Sequence, residues 1–227
     1  MISRIVRKIS REIKKGLGLK RAKKLGIEFS EPNYLYQNDL NDESVLIDVG
    51  CASDPDLSIF MIKKFNLTAF GVDPTRKHHP SLKEVEKKFE KFQHVNLAVA
   101  NTNQTLSFYE SKENDSGSIK EDHNNVVSDD VTSYEVEAVT VEGLLKKLGL
   151  SKVDYLKLDL EGIEYDLIES MQENPFGGVK QLFVEFHHHC IASRTIADTR
   201  RMVAKIEKFG FRSFTLDDAN YLFYLQA

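Results

Sequence analysis

Two carboxylates, Asp48 and Asp73, each follow a short apolar segment in the first third of the chain. Segments 45–47 and 68–72 have the length and composition of buried strands, and Gly50 lies just beyond the first of them. This layout is typical of a nucleotide-type cofactor site at the carboxyl ends of parallel strands, where a carboxylate accepts hydrogen bonds from ribose hydroxyls. We therefore expect Asp73 to bind a ribose and Gly50 to let the backbone approach the ligand.

The glycine pattern of the first turn distinguishes between nucleotide cofactors. Dinucleotide sites pack three glycines as GxGxxG, because a pyrophosphate must approach the start of a helix. Here Gly50 is followed by Cys51, Ala52 and Ser53, and the P-loop pattern is absent from the sequence. S-adenosylmethionine carries no phosphate, so one close backbone approach suffices, and it is the predicted cofactor. Asp48 is expected beside its methionine ammonium, directly or through water, and Ser53 is expected to contact it while capping the next helix.

A second group of ionisable residues follows two later apolar segments. Asp159 and Glu161 end one segment, and Glu185, His187 and His188 end the next. Transfer of a methyl group to a hydroxyl requires an aligned acceptor and a group that takes the hydroxyl proton. We predict His187 or His188 as this general base, because imidazole titrates near neutral pH. The three carboxylates are further catalytic candidates, and Asp159 is also expected to contact the cofactor.

Roles other than catalysis are the alternatives for these residues. The histidines could be metal ligands or packing residues, although no metal site is predicted, and Glu161 could be a helix-start carboxylate stabilised by the macrodipole. Lys157 is unusual inside an apolar strand, because a buried lysine needs an acidic partner. We expect it to pair with Asp159, Glu161 or Glu185. The alternative is a lysine stem that reaches solvent at the end of the sheet.

The elements that would position these residues alternate between strand and helix from residue 45 onward, which indicates a parallel α/β sheet. We predict a Rossmann-like class I methyltransferase fold, with a mostly parallel sheet closed by a terminal antiparallel hairpin. The predicted strands are 45–49, 68–72, 94–99, 105–110, 134–139, 153–159, 179–187, 211–216 and 221–226. The predicted helices are 55–65, 81–91, 141–148, 163–173 and 194–209. A mobile loop over residues 112–133 is expected to cover the site.

The chain has a basic amino-terminal arm and an acidic body. Of its 227 residues, the first 24 contain ten Lys or Arg and one Glu, a net charge of +9, which leaves −13 for the remainder. Residues 2–15 alternate apolar and basic positions at helical spacing, which predicts an amphipathic helix on an anionic membrane surface. A helix packed on the domain and a flexible arm are the alternatives. We divide the chain into an arm (1–25) and a catalytic domain (26–227), and expect no binding of nucleic acid by the acidic body.

Two widely spaced cysteines, Cys51 and Cys190, give neither a disulfide framework nor zinc-ligand spacing. This favours a reducing compartment. With no apolar segment of membrane-spanning length, we expect a cytoplasmic protein that is peripheral, through residues 1–24, to the inner face of the membrane.

Several motifs in a fixed order resemble the FkbM family of S-adenosylmethionine-dependent methyltransferases. The resemblance covers residues 44–190, and its most specific element is Lys157-x-Asp159-x-Glu161-Gly162 followed by Glu164-Tyr165. The other elements are Asp48-Val-Gly50, Gly71-Val-Asp73, Asn96-Leu-Ala98-Val-Ala100 and Val139-Thr140-Val-Glu-Gly-Leu-Leu145.

The resemblance implies a seven-stranded sheet and O-methylation, commonly of sugar or polyketide hydroxyls. It also supports a position of Asn96 and Ala98 near the adenine. We expect a sugar hydroxyl of a small molecule or glycan as the acceptor. The chain departs from the family in its first loop, where Gly-Ala-Asn-x-Gly is replaced by Gly50-Cys51-Ala52-Ser53-Asp54. The missing second glycine leaves a non-catalytic binding or scaffold domain as an alternative, beside an N-methyltransferase. A nicotinamide oxidoreductase is disfavoured by the missing glycines.

Overall fold

A computed structural model of the protein describes residues 16–30, 34–112, 117–119 and 130–225. The strands are β1 (Ile27–Ser30), β2 (Tyr34–Gln37), β3 (Val45–Val49), β4 (Thr68–Val72), β5 (Phe92–Val95), β6 (Ala98–Val99), β7 (Gln104–Ser111), β8 (Gly117–Ser118), β9 (Val131–Val139), β10 (Val153–Leu158), β11 (Val179–Glu185), β12 (Phe211–Thr215) and β13 (Asn220–Leu225). The helices are α1 (residues 16–24), α2 (Asp56–Phe65), α3 (His79–Lys88), α4 (Val141–Leu148), α5 (Glu164–Ser170) and α6 (Ile196–Glu207).

Seven strands form the central sheet, in the order β12-β13-β11-β10-β3-β4-β5. The five strands from β11 to β5 run parallel, and β13 runs antiparallel to both of its neighbours. The predicted sheet with its terminal antiparallel hairpin is therefore confirmed. Strand order reverses between β3 and β10, so the carboxyl ends of these strands and of β4 surround the crevice where α/β folds bind ligands.

The sheet is buried on both faces. One apolar cluster contains Leu156, Leu182 and Ile206 and lies under α4 to α6, and the other contains Leu46, Leu57 and Phe183 and lies under α2 and α3. Burial on both faces explains why the central strands are almost continuously apolar instead of alternating.

A smaller sheet has four strands in the order β6-β9-β7-β8. The continuous third strand predicted over 94–99 is wrong, because this segment is divided between the two sheets. The chain bends at Asn96, where the Leu97 N–H donates to the carbonyl of Val95 over 3.0 Å. β5 therefore joins the central sheet and β6 joins the small one. The predicted strands 105–110 and 134–139 are the paired centres of β7 and β9. Of the predicted mobile loop, residues 113–116 and 120–129 lie outside the described residues.

A hairpin of β1 and β2 precedes the central sheet and was missed by the sequence analysis, because each strand has four residues and gives little periodicity. The hairpin packs against the sheet through Gln181, whose Oε1 accepts from the backbone N–H of Gln37 over 2.7 Å. The hydroxyl of Tyr155 donates to the carbonyl of Leu35 over 2.7 Å. These bonds fix the hairpin beside β10 and β11.

Capping residues determine where α4 and α6 begin and where α4 ends. Thr195 and Asp198 form a capping box that starts α6 at Ile196 instead of residue 194. Thr140 caps α4, and Gly149 ends it in the left-handed conformation. The predicted amphipathic helix 2–15 lies outside the described residues, while α1 follows it and packs on the domain through buried Ala22. Within the described parts of the chain, none of the helices combines the length and apolar character needed to cross a membrane.

Candidate active site

A cleft opens at the carboxyl ends of β3, β4 and β10. Its lining includes Gly50 and Asp73, Asp159 and Glu161, and Phe108 and Ile119 of the small sheet region. The cleft thus joins part of the first group of predicted site residues with Asp159 and Glu161 of the second group.

The turn after β3 depends on a glycine. Gly50 has φ +74°, and a Cβ at this position would collide with the backbone carbonyl oxygen of Asp159. Its N–H donates to the carbonyl of Val72 over 2.9 Å. Only glycine combines this backbone conformation with such a close approach. Glycine is therefore required here by the close approach of the backbone at Asp159, and contact between Gly50 and a cofactor stays a prediction.

Asp73 lies at the bottom of the cleft with both carboxylate oxygens already oriented. Oδ2 accepts from the N–H of Ala52 over 2.9 Å, Oδ1 accepts from the N–H of Thr75 over 2.8 Å, and His78 Nδ1 lies 3.4 Å from Oδ1. Burial acts to raise the pKa of Asp73, but these interactions with His78 and Thr75 outweigh it, and the pKa lies below its ordinary value. A carboxylate has four acceptor sites, so this ionised group retains capacity for ribose hydroxyls.

Lys157 is buried beneath the cleft and binds two carboxylates. Its Nζ lies 3.2 Å from both Asp48 Oδ1 and Asp159 Oδ2, and it donates to the carbonyl of Gly50 over 2.9 Å. Burial acts to lower the pKa of Lys157, but the charges of Asp48 and Asp159 outweigh burial and raise it. The predicted pairing with Asp159 is present. Asp48, which also accepts from the hydroxyl of Ser58 over 2.8 Å, is fully enclosed and not part of the cleft wall.

His187 lies between three carboxylates. Its Nδ1 is 3.0 Å from Glu164 Oε1, while its Nε2 is 3.5 Å from Asp159 Oδ1 and 3.8 Å from Glu161 Oε2. Burial acts to lower the pKa of His187, but Glu164 and the other carboxylates outweigh it and raise the pKa to about 10. The raised pKa of His187 favours its protonated form at neutral pH. The general-base role that the sequence suggested for His187 stays a prediction.

The other predicted catalytic residues at the end of β11 differ in environment. His188 turns towards α6, where its Nδ1 lies 3.0 Å from Thr199 Oγ1, and burial together with nearby His189 lowers its pKa. It does not line the cleft. Burial and the charge of Asp159 raise the pKa of Glu185 to about 7. Burial also raises the pKa of Asp159 against the opposing charge of Lys157.

Among the remaining predicted cofactor contacts, Ala98 lines the cleft beside Leu97 and Val99. Asn96 is exposed and Ser53 is half-buried, and neither lines the cleft. Ser53 does not cap α2 either, because Pro55 occupies the N-cap position and no side chain bonds there.

Four residues stand out among the contributors to the site that were not predicted. Ala52 holds Asp73 through its N–H from a left-handed backbone, φ 56°. Phe108 and Ile119 reach the cleft from the small sheet region. Glu164 is fully buried and contacts His187, 23 residues further along the chain. Only the family motif drew attention to Glu164, because its partner is distant in sequence. In the part of the chain that the structure describes, His, Cys, Asp and Glu side chains form no cluster able to hold a metal ion.

Known structures share this fold at low sequence identity. The Methanococcus jannaschii fibrillarin pre-rRNA processing protein is 10% identical, with 82% of this chain and 68% of that chain covered at a TM-score of 0.51. A precorrin-6y C5,15-methyltransferase from Geobacter metallireducens is 12% identical over 88% of this chain and 94% of that chain, with a TM-score of 0.45. No curated protein sequence matches the chain.

A family model for the methyltransferase FkbM domain matches residues 28–213. The match includes the turn at Gly50, the acid at Asp73 and the whole segment from Lys157 to Glu164. The resemblance inferred from the motifs is confirmed over most of the chain. The protein therefore belongs to the FkbM methyltransferase domain family, and it is an S-adenosylmethionine-dependent methyltransferase with a Rossmann-like fold.

Proposed function

We propose that the protein transfers a methyl group to a hydroxyl oxygen of a sugar, in a small molecule or a glycan. One observation supports this above the others: Asp159 and Glu161 line the same cleft as Asp73. Two carboxylates beside the cofactor pocket are hydrogen-bond acceptors, which suit the several hydroxyl donors of a sugar. Asp159 also has a raised pKa, caused mainly by burial, so it holds a proton more readily than an exposed aspartate.

The residues of the cleft fit the expected cofactor. The backbone at Gly50 leaves no room for a side chain, and Asp73 is a fixed, ionised acceptor at the end of the neighbouring strand. Apolar side chains of Leu97 and Val99 offer a surface for the adenine. When bound, S-adenosylmethionine supplies an electrophilic methyl group on a sulfonium.

In the proposed mechanism, the chain's own residues orient the acceptor and take its proton. Glu161 would accept a hydrogen bond from one acceptor hydroxyl, and Asp159 would accept the proton of the reacting hydroxyl as the acceptor oxygen gains the methyl group. The bond between that methyl group and sulfur would break, and S-adenosylhomocysteine would leave. Lys157 and His187 lie on two sides of Asp159. Phe108 and Ile119 line the cleft and would help to exclude water from the reacting groups.

The experiment has two parts. Isothermal titration with S-adenosylhomocysteine measures cofactor binding, and transfer of labelled methyl from S-adenosylmethionine is measured with a panel of neutral sugars and of amines. We expect binding and methylation of sugars, with Asp159→Asn keeping binding but losing transfer. The exposed variant Asp54→Asn is the control and should match the wild type. Absence of binding heat would favour the scaffold alternative, and exclusive methylation of amines would favour an N-methyltransferase.

We also propose that the protein is cytoplasmic and contacts an anionic membrane through residues 1–24. Support comes from the charge of +9 in this segment and from exposed Lys20, Lys23 and Lys24 on α1. Leu17, 62% exposed on the same helix, adds an apolar side chain that a membrane surface could cover. Deletion of residues 1–15 retains α1 with its exposed lysines, so it should weaken sedimentation with phosphatidylserine vesicles, and deletion of residues 1–24 should abolish it. Unchanged sedimentation, or equal binding to neutral phosphatidylcholine vesicles, contradicts the proposal.

A further inference from the structure

A single buried carboxylate joins the ends of β10 and β11. Glu164 Oε2 accepts from the N–H of Gly162 over 2.8 Å, and its Oε1 accepts from the backbone N–H of His187 over 2.9 Å and lies 3.0 Å from His187 Nδ1. The residue is fully buried. A buried carboxylate is costly unless its oxygens are bonded, and here both are. Glu164 thus fixes both the turn after β10 and the histidine after β11.

The opposite side of the histidine faces the cleft. His187 is 5% exposed, and its Nε2 lies near Asp159 Oδ1 and Glu161 Oε2, at 3.5 Å and 3.8 Å. The charges alternate from the buried Glu164, through the imidazole, to two carboxylates that line the cleft. Because Glu164 already determines the position of the ring, the ring in turn restrains the two cleft carboxylates.

The backbone at Glu161 indicates that its side chain is held in place against a local preference. Glu161 has φ +49°, in the left-handed region that favours glycine, and Gly162 follows with φ 100°. A glutamate in this conformation persists only where its surroundings fix it. The surroundings include the Gly162 N–H bond to Glu164 and the proximity of His187. The strained residue is also one that lines the cleft.

We infer that Glu164 and His187 are positioning residues, which hold Asp159 and Glu161 in place for the methyl acceptor. This inference rests on the proposed function only in giving those two carboxylates the task of binding the acceptor. Neither Glu164 nor His187 lines the cleft, so neither needs to touch the substrate. Glu164 and His187 act on the acceptor through Asp159 and Glu161, which do line the cleft.

Histidine NMR on the full chain tests this arrangement without any acceptor. The probe is the Cε1–H resonance of His187, followed against pH in the wild type, Asp159→Asn, Glu161→Gln and Glu164→Gln. We expect the wild-type ring to remain protonated well above neutral pH. Each variant should lower the titration midpoint by about 1 pH unit, because each removes a nearby opposite charge. The remaining groups around the ring, namely Glu185, His188, His189 and Cys190, are unchanged in all four proteins.

Two controls keep the result interpretable. Glu84→Gln alters an exposed carboxylate paired with Lys87 and should leave the midpoint of His187 unchanged. If Glu164→Gln does not fold, the two cleft variants still decide the matter. A midpoint near the ordinary histidine value in the wild type, or one that Asp159→Asn and Glu161→Gln do not move, overturns the inference. S-adenosylhomocysteine titration of the same wild-type sample tests the proposed function separately, because loss of cofactor binding would not alter the coupling between His187 and the carboxylates.

Discussion

Asp73 is almost fully enclosed, and burial acts to raise its pKa, yet the pKa lies below the ordinary value because His78 and Thr75 favour the ionised form. Burial and the nearby charge of Asp159 raise the pKa of Glu185 to about 7. The two carboxyl groups therefore differ in environment, and Asp73 suits the task of an ionised acceptor.

Asp73→Asn tests the acceptor at the cofactor ribose. The amide group would place an N–H₂ against the backbone donor of Ala52 or Thr75 and would remove the negative charge. Hydrogen bonds to charged groups contribute about 1.5–3 kcal/mol, so affinity for S-adenosylhomocysteine should fall about 10- to 100-fold. Titration calorimetry measures this, with Asp54→Asn as the exposed control. Equal affinity of the Asp73 variant and the wild type would show that the ribose binds elsewhere.

Gly50→Ala tests the close approach between the cofactor turn and β10. The Cβ would meet the carbonyl oxygen of Asp159 in addition to the cost of a left-handed alanine. We expect the free energy of unfolding to fall by about 2–5 kcal/mol in urea titrations. Gly149→Ala is a matched control, because Gly149 also has a positive φ but open space around it. It should cost only about 1–2 kcal/mol, and equal losses in the two variants would contradict the predicted clash.

At the scale of elements, the hairpin of β1 and β2 is attached to the central sheet through a few specific bonds. Gln181, fully buried on β11, accepts from the N–H of Gln37 and donates to the carbonyl of Gln37 and to Asp39. The hairpin brings Tyr34 over the ammonium of Lys157, 5.5 Å from the ring centre. The hairpin does not line the cleft, but it contacts Lys157, which lies beneath the cleft.

Gln181→Ala is expected to loosen this hairpin. The change leaves the polar backbone groups of Gln37 without partners and should lower the free energy of unfolding by about 2–4 kcal/mol. Amide hydrogen exchange in Ile27–Ser30 and Tyr34–Gln37 should accelerate more than exchange in β10. Gln93→Ala, at an exposed position of β5, is the control and should change neither measurement. Unaltered exchange in the hairpin would mean that other contacts hold it.

The accuracy of the sequence-based predictions differs from one element to the next. The strands β3, β4, β10 and β11 were predicted well because they are long apolar runs whose ends are marked by charged residues or glycine. The break between β5 and β6 was missed, since the residues on both sides are apolar and only the tertiary pairing separates them. Glu164 was missed as a site residue for a related reason: its partner His187 lies on another element. Residue type and spacing predict groups at the ends of neighbouring strands, but not buried bonds between distant turns.

For the whole molecule, the raised pKa of His187 links stability to pH. The pKa of His187 is about 10 in the folded protein, whereas the unfolded chain releases this proton near the ordinary histidine pKa of 6.5. The stabilisation is therefore fully present below the unfolded pKa, and it is lost as the pH rises through that window to the folded pKa. The pKa of Glu185 is lower, at about 7. The change in stability in the upper part of this pH range therefore comes mainly from His187.

His187→Gln should flatten the pH dependence of the free energy of unfolding. Between about pH 7.5 and pH 9.5, the difference between wild type and variant should shrink by up to about 1.4 kcal/mol per pH unit, the limit for one proton. Urea unfolding at several pH values measures it. His189→Gln removes an exposed neighbouring imidazole and should run parallel to the wild type. Parallel curves for the His187 variant would mean that the ring is not protonated in the folded state.

The small sheet has one further consequence, which follows from where its chain enters and leaves. Ala98 and Val99 pair in parallel with Ala138 and Val139, so segment 100–137 departs and returns at neighbouring positions. Closing a longer or shorter excursion between adjacent ends changes the closure entropy only slowly with length. Since Phe108 and Ile119 lie on this excursion and line the cleft, we expect changes in its length or sequence to alter acceptor choice at little cost in closure entropy. Tyr134 and Ser111 must be kept in such exchanges, because they bond to Arg76 and Lys77 beside Asp73.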